Sequence, residues 1–154
     1  MGIVLVRFWL RFAVLPPVVA SHFGANGKPD GWMGRSGFAW FSLLPLCVVL
    51  IVTFVAPVLV AKLPPSLVNL PNKDYWLAPE RKVDAIARFT VRMEWFGVVL
   101  LAFLAFVYEL VFEANVAGRG LANGPFLIAL VAFLVFAVVW IVLMYRAFSL
   151  PTKR

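Results

Sequence analysis

The chain has one cysteine, one histidine and seven acidic residues against fourteen lysines and arginines in 154 positions. Each scarcity excludes a class of function. The lone thiol, Cys47, stands inside an apolar run, so there is no intrachain disulfide and no paired thiolate for a metal. Its expected role is packing. The lone imidazole, His22, leaves a metal site short of the three or four ligands it needs, and no nucleophile stands beside a base in the sequence. The expectation is a protein that is not an enzyme, with no metal and no cofactor. Charge is scarce as well: 14% of residues are charged and 64% hydrophobic, with a mean hydropathy of +0.97. A soluble domain carries about a quarter charged residues, so an ordinary cytosolic protein is excluded.

The charges fall between long uncharged runs, which is the pattern of a multi-pass membrane protein. Gly37 to Ala61 contains 25 residues without a charge. At about 1.5 Å per residue it exceeds the roughly 30 Å hydrocarbon layer. Lys62 marks its polar end, and Pro45 and Pro57 predict local kinks. Gly124 to Tyr145 is a second span, entered through Asn123-Gly124-Pro125 and closed by Arg146. Between them, Trp95 to Tyr108 is only 14 residues long. A helix extended to residues 89–112 spans the layer if Arg92 and Glu94 reach one interface and Glu109 lies near the other. The segment Ile3 to Ala20 is apolar but carries Arg7 and Arg11 on one helix face and ends at Pro16-Pro17. It reads as a short helix, tilted or lying partly in the interface. The arginines and the proline pair disfavour a cleaved signal peptide despite the small residues near Ala20.

The expected fold class is therefore an all-α integral membrane protein with three clear transmembrane helices and a short or degenerate N-terminal hydrophobic helix. In order, a single membrane domain comprises an N-terminal segment (1–20), an outer loop (21–36), a span (37–61), a cytoplasmic loop with an amphipathic helix (62–88), a span (89–112), an outer loop (113–123), a span (124–145) and a cytoplasmic tail (146–154). The orientation follows from charge. Lys62 to Arg92 holds six lysines and arginines, and Glu113 to Asn123 holds only Arg119. The positive-inside rule puts the first inside together with the tail bearing Arg146, Lys153 and Arg154. The basic residues lie next to spans and do not interleave with aromatics on a soluble face, so no nucleic-acid partner is expected.

Two polar segments carry the candidate functional residues. In the outer one, Asn26-Gly27 and Pro29-Asp30-Gly31 are turn chemistry, and Val18-Val19 before them suits a short extended stretch. The loop is expected to be a turn-dominated cap with Phe23 and Trp32 as interfacial anchors. His22 and Asp30 alone could do acid–base work there; the plainer reading is a hydrogen bond from His22 that ties the loop down. Gly27-Lys28 is no phosphate loop, since Pro29 stands where Ser or Thr would bind magnesium.

The inner segment runs through Leu63-Pro64-Pro65 and Asn69-Leu70-Pro71-Asn72-Lys73-Asp74-Tyr75-Trp76 to Pro79-Glu80-Arg81. Pro79 with Glu80 behind it predicts a helix start. Val83, Ile86, Ala87, Thr90 and Met93 then recur at helical spacing opposite Arg81, Arg88 and Arg92. A basic amphipathic helix running into a span is attracted to anionic headgroups, or is simply a solvated charged face. Glu109 and Glu113, one turn apart, are the intramembrane acid candidates, with the alternative that they end the span.

The run His22-Phe23, Gly27, Pro29-Asp30-Gly31-Trp32, followed after a span by Asn69 to Arg81, resembles the bacterial membrane family catalogued as domain of unknown function 1648. A related domain occurs in the SdpI type of immunity protein. The resemblance covers Leu15 to Arg92. It implies a small polytopic inner-membrane protein whose His22 to Trp32 loop is extracytoplasmic. It also implies a full hydrophobic helix ahead of that loop, from which this chain departs, either through a degenerate first helix or through a start further upstream. The function expected is non-enzymatic: an immunity-like or envelope accessory factor binding a peptide or partner at the outer loop. The alternative is a small transporter or channel component using Glu109 and Glu113.

Overall fold

The structure is a computed structural model, and it describes Val6 and residues 10–150. Arg7, Lys153 and Arg154 lie outside the described residues. The N-terminal segment is helical at Val6 and over 10–13, and its last turn closes at Val14 and Leu15 ahead of Pro16-Pro17, which cannot continue a helix. Strands β1 (Val18–Phe23) and β2 (Pro29–Gly34) follow as an antiparallel hairpin. Helix α1 (Arg35–Leu50) continues through a π-helical turn (Ile51–Val55) into α2 (Ala56–Val60). After a 3-10 turn (Pro65–Leu67) and the single turn α3 (Lys73–Trp76) come two long helices, α4 (Lys82–Val116) and α5 (Asn123–Ala147).

Three of these are long and apolar enough to cross a membrane: Arg35–Val60 with 26 residues, Lys82–Val116 with 35 and Asn123–Ala147 with 25. The protein is a small multi-pass membrane protein whose bilayer-crossing elements are all helical. Trp40, Val52, Val98, Ile128 and Val138 stand exposed along these helices. Such apolar faces belong in lipid, where a helix satisfies its own backbone and water is absent. Among the described residues the hairpin is the one sheet element. The extended stretch expected at Val18 is strand β1, whereas the loop expected over 21–36 holds a second strand and releases the chain into helix at Arg35.

The proline effect in the first span falls just before Pro57. That residue has no N–H for the Thr53 carbonyl, and its ring would press on it. The helix widens there into the π turn, with the Ala56 N–H reaching back to the Ile51 carbonyl. Thr53 turns its hydroxyl to the Val49 carbonyl at 2.7 Å. Gly97 of α4 meets this turn, and a methyl group at Gly97 would lie 2.7 Å from Thr53 Cβ and 2.8 Å from the Phe54 ring. Small residues at such a crossing let two backbones approach closely.

Two compact units make up the chain: Met1–Cys47 with Leu101–Ala132, and Val48–Leu100 with Phe133–Arg154. The first has a core of Leu15, Val19, Phe38 and Phe112, with Phe38 edge-on to Phe112 at 6.1 Å. The second is centred on Val68, Leu70, Leu77, Ala85, Ile86, Met144 and Phe148.

Helix α4 begins at Lys82, three residues after Pro79, although the Ala78 carbonyl already accepts from the N–H groups of Arg81 and Lys82. Its buried stripe also differs from the expected one. Ala85 and Ile86 are buried with Phe89 and Met93 packed beside them, while Val83 is 79% exposed and Ala87 is exposed. The two stripes are neighbouring faces of one helix. Which of them turns inward is set by Leu70 and Phe148.

Candidate functional site

In the first unit the hairpin turn is built by its own sequence. Gly27 takes φ +75°, a conformation that costs a Cβ-bearing residue about 1–2 kcal/mol. The Lys28 N–H donates to Asn26 Oδ1 at 2.9 Å, and the Gly24 N–H to the Lys28 carbonyl at 2.9 Å. Ser21 of β1 and Asp30 of β2 are each skipped in the pairing, so the ladder carries an irregularity on both strands.

What holds this hairpin comes from far along the chain. The Ala20 N–H donates to Asn115 Oδ1 at 2.7 Å, and Asn115 Nδ2 donates back to the Ala20 carbonyl at 3.0 Å. One amide side chain thus stands in for a paired strand at a residue that is 6% exposed. The Leu121 N–H donates to the Gly27 carbonyl at 2.8 Å, and Asn123 Nδ2 to the Ala25 carbonyl at 3.0 Å. The connection between α4 and α5 is therefore the seat of the hairpin turn. At the base of the hairpin the Arg35 N–H donates to the Pro17 carbonyl, and the Arg35 guanidinium bonds the Leu15 carbonyl at 3.2 Å and lies over the Phe12 ring.

His22 and Asp30 are brought together. His22 Nδ1 and Asp30 Oδ1 are hydrogen-bonded across the hairpin, and the two side chains are 74% and 54% exposed. Trp32 is 60% exposed, Phe23 and Pro29 are half-buried, and Gly31 pairs with His22. Among the described residues no three of His, Cys, Asp and Glu converge on one point.

Glu109 and Glu113 lie inside α4 and turn to different cations. Glu109 pairs with Arg11 of the N-terminal helix at 3.2 Å, and Glu113 with Arg119 at 3.7 Å. Tyr108 donates its hydroxyl to the Ser42 carbonyl at 2.7 Å.

Residues 1–46 match the family model described as domain of unknown function (DUF1648). The matched region holds the N-terminal helix, the whole hairpin and the start of α1. It stops before the Asn69 to Arg81 motif, so the likeness extends over the N-terminal region and not from Leu15 to Arg92. No curated protein and no solved structure matches the chain.

That Asn69 to Arg81 motif forms a clamp in the second unit. Asn72 takes φ +52° and donates from Nδ2 to the Phe148 carbonyl at 2.8 Å, and Trp76 Nε1 donates to the same carbonyl at 2.9 Å. Trp76 is edge-on to the fully buried Phe148 ring at 5.7 Å. Arg81 bonds the Tyr75 carbonyl at 2.9 Å and lies 4.1 Å over the Tyr75 ring. Arg88 lies over Trp76 and Arg92 over Phe148. The basic stripe thus covers the Tyr75 and Trp76 rings of the motif and the Phe148 ring, a cation–π arrangement. Asn69, Pro79 and Glu80 are exposed, and Pro71 is half-buried.

The residues that anchor the hairpin, Asn115 and Asn123, were not among the sequence candidates. Asn123 carried a signal, since it opens the Asn-Gly-Pro turn. Asn115 carried none beyond being an amide at the end of an apolar helix.

Proposed function

We propose that the hairpin is the recognition element of a non-enzymatic protein of the bacterial inner membrane, binding a peptide or protein partner on the outer face as an immunity-like or envelope accessory factor. The observation that carries this reading is the contrast between its two sides. Behind, Asn115, Leu121 and Asn123 hold the backbone in place; in front, His22, Asp30 and Trp32 are presented to solvent. A pre-organised surface loses little entropy on binding, and an exposed indole beside a polar pair is typical anchor chemistry. Among the described residues β2 has β1 as its only strand neighbour, which leaves an edge for an extended peptide.

A photo-crosslinking residue in place of Trp32 tests the proposal in native membranes. The expected result is a discrete protein adduct that weakens in a His22→Ala, Asp30→Ala background at unchanged abundance. Adducts to lipid alone, or an adduct indifferent to that background, refute it.

A second reading is a small transport component, favoured by the Arg11–Glu109 pair on a bilayer-crossing helix, since charged groups there mark ion pathways. It predicts proton or cation flux into proteoliposomes that Glu109→Gln abolishes. The hairpin reading predicts none.

A further inference from the structure

The second unit carries a groove of about 560 Å³ between α4 and α5 that the hairpin does not use and that shares Arg92 with the aromatic clamp. Val91, Trp95, Trp140 and Leu143 form its apolar part, and Arg92 and Arg146 line it too. Trp140 Nε1 donates to the Arg92 carbonyl at 3.1 Å and fixes the two helices to each other at this level. We infer that this groove is a binding site for one anionic phospholipid, with the phosphodiester held by Arg92 and Arg146 and an acyl chain lying along Val91, Trp95 and Leu143.

Charge complementarity carries the assignment. Among the described residues neither arginine is ion-paired, no carboxylate lines the groove, and α5 contains no acidic residue at all. Arg92 is pre-positioned: it donates to the Arg88 carbonyl at 3.0 Å and rests on the Phe148 ring, which leaves further guanidinium N–H groups for a phosphate. Arg146 stands in the last turn of α5, where the end of an apolar helix reaches headgroup depth. Trp95, 66% exposed, lies one turn from Arg92 on the apolar side, the position of an interfacial aromatic. A basic recess between helices with a tryptophan rim and an apolar floor recognises a lipid with a negative headgroup, while a zwitterionic one brings its own cation to the arginines. This inference is independent of what the hairpin binds.

Native mass spectrometry of the detergent-purified full chain tests it, with dioleoyl phosphatidylglycerol and dioleoyl phosphatidylcholine as probes. One phosphatidylglycerol is expected to be retained in preference to phosphatidylcholine. Arg92→Gln and Arg146→Gln should each lower its retention about fivefold, the worth of one basic residue at an anionic surface. Arg92→Lys, which keeps the charge, should lose less than Arg92→Gln. Leu143→Trp fills the groove without touching charge and should lower retention as well. Equal retention of the two lipids, or indifference to both arginine variants in folded protein, overturns the proposal. So does displacement of the lipid by millimolar glycerol phosphate, which would mark a headgroup-only anion site. A dimer that persists in the wild type and is lost in Leu143→Trp would assign the groove to a second copy instead.

Discussion

Replacing Asn115 by Leu removes one side chain of similar size and leaves both polar groups of Ala20 without their partner. Ala20 is 6% exposed, so water reaches these groups only if the hairpin lifts. An unsatisfied buried donor or acceptor costs about 1–3 kcal/mol, and two of them, with partial relaxation, about 2–4 kcal/mol. At about 1.4 kcal/mol per decade, hydrogen-exchange protection at the Ala20 amide should fall roughly 30- to 700-fold. Residue-resolved amide exchange in lipid nanodiscs reads this directly, because it reports local opening without requiring global unfolding. Asn115→Asp keeps the acceptor for the Ala20 N–H but turns a second oxygen toward the Ala20 carbonyl, so its loss should be of similar size. His22→Ala is the contrasting case. The His22–Asp30 pair is well exposed on both sides, and exposed pairs contribute about 0–1 kcal/mol, so protection should fall no more than about fivefold. If His22→Ala opens Ala20 more than Asn115→Leu does, the hairpin is anchored by its exposed pair and the seat described above is incidental.

Gly27→Ala should destabilise the hairpin by at least about 1–2 kcal/mol through its positive φ alone. Its Cβ would also lie 2.7 Å from Asn123 Oδ1 and 2.8 Å from the Leu121 carbonyl, whereas Gly37→Ala, with nothing within 4 Å, should be neutral; limited proteolysis within residues 24–28 distinguishes them. In the second unit, Trp76→Phe should cost about 1 kcal/mol in thermal stability. Asn72→Ala added to it should cost more than the sum of the single changes, because the two donors share the Phe148 carbonyl and only the double variant strips it. A double-mutant cycle of Arg11→Gln with Glu109→Gln should give a coupling of about 1 kcal/mol, and no measurable coupling would mean the pair is broken in the bilayer. Finally, Asn26→Cys and Glu80→Cys, each in a Cys47→Ser background, should label oppositely with an impermeant thiol reagent in intact cells, Asn26 outside. Labelling at residue 80 alone reverses the orientation.

The three bilayer-crossing helices were legible in the sequence because the hydrocarbon layer selects on composition and length, both of which are local. The helices themselves reach beyond the expected spans: the first begins at Arg35, and the second runs unbroken from the basic segment at Lys82 to Val116. The turn at Asn26-Gly27 was equally local, since only such residues accept its backbone. Strand β2 was not legible. Pro29, Asp30, Gly31 and Gly34 are poor strand formers, and the segment is extended because it pairs with β1 on a seat built by residues 115–123. The inward face of α4 was misplaced for a related reason. Val83 and Ala85 both lie on apolar stripes, and the choice between them belongs to Leu70 and Phe148, which the chain brings in from either side of that helix. Hydropathy thus determined what enters the membrane, through a solvent that reads each segment alone. Which polar groups meet, Asn115 with Ala20, Glu109 with Arg11 and Phe148 with Asn72 and Trp76, was decided only in the tertiary structure, because each partner is chosen by packing between segments far apart in the chain.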